Sequence, residues 1–347
     1  VPAPVTPPPP ADRIGHGILW MLMATALFVS LDTLAKYLQD HITVAQVVWA
    51  RYAFHAVLIA AFLAPRLRTV ARTAVPGLQF LRSLALVCVT GLFFTGLGFV
   101  PLVDASAIMF LTPLLVTALS VPILKERVGP RRWAGVAFGF VGALIVIRPG
   151  MGMVQTAALV LLAAAFINAS FHLLTRMVGR HDSSLTTLFY TAVLGAVLSS
   201  TVVPFFWTPV SDPAVWGLMA LLGVFGAASQ FALIKAFQAA PPSAIAPFNY
   251  STIVWATVLG LLVFGELPDL PTVVGAAVII GSGLYVFHRE RVVATGDAAA
   301  GLGTAAAAAP REAPATGPVA AAADARAQPT AEPSAEPPAR SAPEENR

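Results

Sequence analysis

The sequence predicts an all-α integral membrane protein: ten transmembrane helices arranged as two inverted five-helix repeats. Three observations carry this. Of 347 residues, 57% are hydrophobic and only 11% charged, whereas soluble domains carry about 25% charge. Apolar segments long enough to cross about 30 Å of hydrocarbon, ~20 helical residues each, recur with short breaks. The chain also matches itself at a shift of 140 positions, which lays Glu126 on Glu266.

The spans fall at 14–37, 43–63, 77–98, 102–124 and 132–147, then at 153–175, 184–206, 213–236, 241–264 and 270–287. Gly and Pro inside them do not argue against spanning, because neighbouring helices and polar side chains re-satisfy freed backbone groups. Residues 1–13 read as a disordered Pro-rich leader, 14–148 as the first repeat and 149–292 as the second. Residues 293–347, rich in Ala and Pro, have too few large apolar side chains to offset ordering entropy and read as a disordered cytoplasmic tail.

Orientation follows from the Lys and Arg in alternate connections. Arg13, Arg66, Arg68, Arg72, Lys125, Arg127, Arg131, Arg132, Arg176, Arg180, Lys235, Arg289 and Arg291 fall on one side, against Lys36 and Arg148 on the other. The positive-inside rule puts the first group, and both termini with it, on the cytoplasmic side of a bacterial inner membrane. These bases are scattered between apolar runs rather than gathered on one face, which speaks against nucleic acid as a partner. The expected partners are a small-molecule substrate and the lipid bilayer.

Cys88 is the single cysteine, so no intramolecular disulfide and no Cys-based metal site is expected. The chain carries no H-E-x-x-H, no G-x-S-x-G and no G-x-x-x-x-G-K-[ST], the patterns of zinc hydrolysis, acyl transfer and nucleotide binding. No catalytic residue, metal or cofactor is therefore expected. An integral membrane enzyme remains the alternative from another class.

The same shift lays Pro101 on Pro241, Thr112 on Thr252, Thr117 on Thr257, Gly135 on Gly275, Leu144 on Leu284 and Val146 on Val286. Five helices per copy is an odd number, so the second copy enters the membrane in the opposite sense. Inverted repeats of this kind recur in secondary transporters, where two halves can open a midplane site alternately to each side.

Pro101-Leu-Val-Asp-Ala-Ser-Ala-Ile, Thr112-Pro113, Leu124-Lys125-Glu126-Arg127 and Gly135 to Gly142 resemble the EamA-type domain of the drug/metabolite transporter superfamily. Phe264-Gly265-Glu266 and Gly275 resemble its second copy, and Lys36 and Arg51 sit where members often carry Lys and Arg. The second copy has Ile253 where the first has Pro113, a departure from symmetry at the central kink. The resemblance covers residues 15–288 and implies two inverted five-helix units that export or import small organic metabolites. The general pattern is similar to the superfamily's aromatic amino-acid exporters, and spans three to five also resemble a branch that takes up nucleoside-like or S-adenosylmethionine-like metabolites.

Candidate substrate-binding residues follow from depth and helical spacing. At ~1.5 Å per residue, Met109 and Phe110 in span four and Asn249 and Tyr250 in span nine reach the bilayer centre, and the 140 shift superposes the two pairs. Pro113 and Pro247 each remove an amide donor and are expected to kink their helices. Asn168 and His172, four apart, share a face of span six; they could bind a ligand, or His172 could be satisfied at the interface. Trp255 is a further aromatic candidate.

Asp32 and Arg51 are expected to form an intramembrane charge pair, since charges at membrane depth need partners; His55 shares a face with Arg51. A ring-walled cavity with few fixed charges suits a largely apolar solute with one zwitterionic end, and export of aromatic or hydrophobic amino acids is the leading expectation. Apart from Asp32 no acid lies well inside a span, so facilitated diffusion or exchange is preferred over proton antiport, with Asp32 the residue that could overturn this. Gly135-x-x-x-Gly139 and Gly281-x-Gly283 allow close helix approach, either within a monomer or across a homodimer.

Overall fold

The computed structural model describes residues 11–125, 128–148, 153–286 and 288. The leader as far as residue 10, Glu126 and the expected C-terminal tail lie outside the described residues. Helix begins at Ala11, inside the stretch expected to be disordered.

Among the described residues all regular structure is helical. The first repeat contains α1 (Ala11–Leu38), α2 (Val44–Leu63), α3 (Pro76–Leu97), α4 (Leu102–Leu124) and α5 (Pro130–Ile147). The second contains α6 (Met153–Val178), α7 (Ser184–Val202), α8 (Pro213–Ala239), α9 (Pro247–Phe264) and α10 (Leu270–Val286). Nine of these are long and apolar enough to span, and α10 is a shorter apolar helix. We call the side where α1 begins the terminal face and the other the far face.

The repeat extends to the local signals that start and stop helices. Thr43 caps α2 by accepting the Gln46 amide, and Ser183, its image at the 140 shift, caps α7 by accepting the Thr186 amide. Each satisfies one of the orphan donors of a first turn. Lys125 ends α4 in the left-handed region at φ 56°, and Gly265 ends α9 there at φ 69°. Glycine takes that geometry without the Cβ penalty that Lys125 carries.

Both central helices are broken. α4 consists of Leu102–Met109 and Thr112–Leu124, and the start of α9 is a 3₁₀ turn over Ala246–Tyr250 followed by helix from Ser251. Pro113 stands in the first turn of the second piece of α4, and Pro247 in the 3₁₀ turn. At those positions a missing amide hydrogen is tolerated most easily.

Packing shows the inversion directly. α1 packs on α8 and α9 as α6 packs on α3 and α4, and α2 meets α7. Along α5 and α10, Gly135 faces Val286, Gly139 faces Ser282, Gly142 faces Ile279 and Val146 faces Gly275. The numbers rise on one helix as they fall on the other, so the two run antiparallel. Each contact also has its image: 135 with 286 maps onto 275 with 146. An approximate two-fold axis therefore crosses the helices at right angles, between Gly139 and Gly142 on one side and their images on the other.

These glycines are used inside the monomer, because backbones of α5 and α10 approach where a side chain would not fit. A Cβ on Gly142 would lie 2.9 Å from the carbonyl oxygen of Gly275. Gly142→Val is expected to cost about 1–3 kcal/mol through overpacking, read as a lower unfolding midpoint in detergent. Gly281→Ala, which meets open space, is the matched control and should shift stability by no more than about 0.5 kcal/mol.

At the terminal face the Asp182 carboxylate accepts from the Thr73 hydroxyl, from the Ala74 amide at 3.0 Å and from Gln79 Nε2 at 2.8 Å. It thereby fastens the link before α3 to the loop between α6 and α7. Burial pushes this carboxyl up, but the three donors outweigh that and hold it below the usual carboxylate range. A depressed folded value adds stability above the unfolded pKa that is lost as pH falls through the folded one. Below about pH 4, wild-type protein is expected to lose more thermal stability than Asp182→Asn; parallel acid limbs in pH-dependent melts would refute this.

Candidate functional site

The two breaks meet. The rings of Phe110 and Tyr250, images of one another, lie 5.1 Å apart between centroids. Beside them opens a cavity of about 670 Å³, within the size range of small-molecule sites. Its wall includes Met109, Phe110, Pro113, Asn168, His172 and Asn249, together with Asp32 and Arg51. Tyr250 is half-buried against Phe110, with its hydroxyl beside Gly283.

Trp255 is absent from the wall: it packs against the apolar core, and its indole N–H is buried without an acceptor. The His55 ring lies instead beside Gly226 of α8. Several wall residues were not expected there from sequence, among them Thr25, Thr90, Phe93 and Ser106. Small hydroxyl residues and a single Phe carry no spacing signal in an apolar span.

Among the described residues no direct ion pair joins Asp32 to Arg51. Arg51 Nη1 donates to Thr90 Oγ1 at 3.3 Å, and the guanidinium sits 5.6 Å from the ring centroids of Tyr52 and Phe94. Tyr52 braces this arrangement, its hydroxyl 2.8 Å from that of Thr90. The physical reason is competition: a guanidinium has five donors and a planar face, and α3 supplies a hydroxyl and an aromatic ring to both. Asp32 thus faces the cavity with no side-chain hydrogen bond from the described residues. One wall carries an acid and a base that are not joined to each other by a hydrogen bond.

Lower in the cavity Asn168 Nδ2 donates to Thr112 Oγ1 at 3.2 Å, and Asn249 is exposed to the open space. A Thr25–Ser251 hydroxyl contact at 2.8 Å ties α1 to α9 beside the break.

The cavity is asymmetric in depth. Its wall reaches Ser120 and Arg176, each about one turn from the terminal-face end of its helix. Toward the far face, polar contacts tie the helix ends together. Lys36 Nζ bonds Glu266 Oε1 at 2.6 Å and the Val100 carbonyl at 2.9 Å, above the Phe264 ring at 4.8 Å. Glu266 Oε2 accepts the Leu102 amide at 3.2 Å. Beside this, Arg148 pairs with Asp269 and donates to Thr272 at 3.1 Å, and the Thr272 hydroxyl donates to Asp104 at 2.8 Å.

Comparison with known proteins agrees with this architecture. The model of the EamA-like transporter family matches twice, over residues 15–148 and 155–287. The chain belongs to the EamA-like transporter family. This places it in the drug/metabolite transporter superfamily and makes it a membrane transporter of small metabolites rather than an enzyme.

Among this transporter's curated relatives, an S-adenosylmethionine uptake transporter of Rickettsia prowazekii (strain Madrid E) is 29% identical over 277 residues, covering 80% of this chain and 94% of its own. A riboflavin transporter of Vibrio cholerae serotype O1 is 31% identical over 279 residues, covering 79% and 94%. A pseudopaline exporter of Pseudomonas aeruginosa is 26% identical over 277 residues, covering 78% and 95%. None of these three names amino-acid export, the leading expectation from sequence. A solved crystal structure at 19% identity aligns with a TM-score of 0.55 over 78% of this chain, which speaks to the fold alone.

Proposed function

We propose that this protein is an alternating-access carrier for metabolites that join an α-amino-acid head to an aromatic or heteroaromatic body, S-adenosylmethionine-like in chemistry. The observation that carries this is the placing of Asp32 and Arg51 on one cavity wall without a direct ion pair between them. An α-ammonium group meets the carboxylate and an α-carboxylate meets the guanidinium, each through a charge-assisted hydrogen bond. Phe28, Phe93 and Phe110 offer ring faces to a flat body or a sulfonium. Asn168 and Asn249 offer amide groups to the edge of a heterocycle.

The names of two relatives fit this reading: S-adenosylmethionine has such a head and body, and riboflavin has the flat body. Free aromatic amino acids, the export substrates suggested by sequence, would use the same head site and fill less of the cavity. With the basic connections placed inside by the positive-inside rule, the terminal face is cytoplasmic, both termini lie in the cytoplasm of a bacterial inner membrane, and the cavity opens inward.

Proteoliposome counterflow tests the reading. Internal unlabelled S-adenosylmethionine should drive accumulation of labelled S-adenosylmethionine, recovered chemically unchanged. Accumulation of riboflavin but of no amino-acid-bearing solute would overturn it.

A further inference from the structure

A separate, smaller cavity of about 220 Å³ lies at the terminal-face side between α3, α6, α7 and α8. Its most unusual wall residue is Arg82, only 7% exposed, well inside the apolar helix α3. Arg82 Nε donates to Thr175 Oγ1 at 2.8 Å, Nη1 donates to Thr191 Oγ1 at 2.5 Å, and the guanidinium lies 4.7 Å from the Phe171 ring centroid. No carboxylate among the described residues pairs with it. Buried charges are ordinarily paired, and hydroxyls and a ring do not neutralise a cation.

The one acid in the wall, Asp182, makes no ion pair with Arg82: its oxygens accept from Thr73, Ala74 and Gln79. The Thr175 and Thr191 hydroxyls spend their hydrogens on the carbonyls of Phe171 and Thr187. The remaining donors in the wall are Arg82 Nη2, the Thr187 and Ser184 hydroxyls and the Gln230 carboxamide. A compact pocket with one buried cation, several neutral donors and its only carboxylate already engaged matches an oxyanion bearing several acceptor oxygens.

We propose that this pocket is an oxyanion site, with Arg82 as its charged anchor and Thr187 and Gln230 as neutral donors, that takes a phosphate group. The phosphate could belong to a free solute or to an anionic lipid headgroup, since the pocket lies near one end of the membrane-spanning helices and basic pockets between such helices take headgroups. The site is distinct from the Asp32–Arg51 wall, and its test does not depend on the transported solute.

Purified full-length protein, freed of phosphate in neutral detergent, is titrated with sodium phosphate against sodium chloride at matched ionic strength, and thermal unfolding is followed. A parallel arm uses nanodiscs with and without phosphatidylglycerol in phosphate-free buffer. A saturable rise in midpoint in either arm is expected, and which arm responds identifies the source. Gln230→Leu and Thr187→Val, which leave Arg82 in place, should each weaken the response about tenfold, as loss of one hydrogen bond to a charge does. Arg82→Gln should abolish it; should that variant fail to fold, the two neutral variants decide. Equal midpoints in phosphate and chloride together with no lipid response, or a response undiminished in both neutral variants, would overturn the proposal.

Discussion

Asp32→Asn and Arg51→Gln are each expected to lower counterflow of labelled S-adenosylmethionine by about 10- to 100-fold, with reconstituted protein levels unchanged. Each change removes one charged hydrogen bond to the substrate head, worth about 1.5–3 kcal/mol. The two losses should not simply add, because residues that grip one group act as a unit. Riboflavin, which lacks the amino-acid head, is the internal control: any flux it shows should be insensitive to both substitutions. Counterflow that is intact in both variants would remove the zwitterion reading while leaving family membership untouched.

Opening of the far face carries the second large effect. Lys36 and Glu266 have side chains only 12% and 27% exposed, and the ammonium also holds the Val100 carbonyl. Lys36→Met leaves the carboxylate with little more than the Leu102 amide. Breaking a buried pair from one side costs about 3–5 kcal/mol, and the partial exposure of Glu266 brings this toward about 2 kcal/mol. With Cys88 replaced by Ala and Ser106 by Cys, a membrane-impermeant maleimide added at the far face should label slowly in the background protein and severalfold faster with Lys36→Met. The Lys36→Met, Glu266→Gln double variant should regain stability without regaining slow labelling. Equal labelling rates in all three would mean that another contact closes this face.

The fold was legible in the sequence because its largest signal is arithmetic. One shift, unbroken by insertions, carries Pro101 onto Pro241, and Thr43, the cap of α2, onto Ser183, the cap of α7. Binary composition then fixed the number of spans and the odd helix count fixed the inversion. Helical rise also set Met109, Phe110 and Asn249 at matched places in the two copies, and the three line one cavity.

Side-chain partnership was harder to read. Asp32 and Arg51 were the obvious charges to join, yet the competitor, Thr90, is an ordinary hydroxyl 39 positions from Arg51 with no pattern to mark it. Lys36 meets Glu266 across 230 positions; the available clue was that Lys36 maps onto Arg176, as Glu266 maps onto Glu126, which sets a base and an acid at matched places in both copies. Arg82 carried the plainest missed signal, a lone cation within an apolar stretch.

The near-perfect register has one exception with mechanical weight. At the far face the Leu102 main-chain N–H grips the Glu266 carboxylate, but the residue occupying the corresponding place in the other copy is Pro242, whose ring nitrogen has no hydrogen to give. A carboxylate at the matching place can draw no such bond from Pro242, a difference of about 1.5–3 kcal/mol for a bond to a charged group. Two halves of common ancestry thereby hold unequal sets of main-chain donors at matched ends of their central helices.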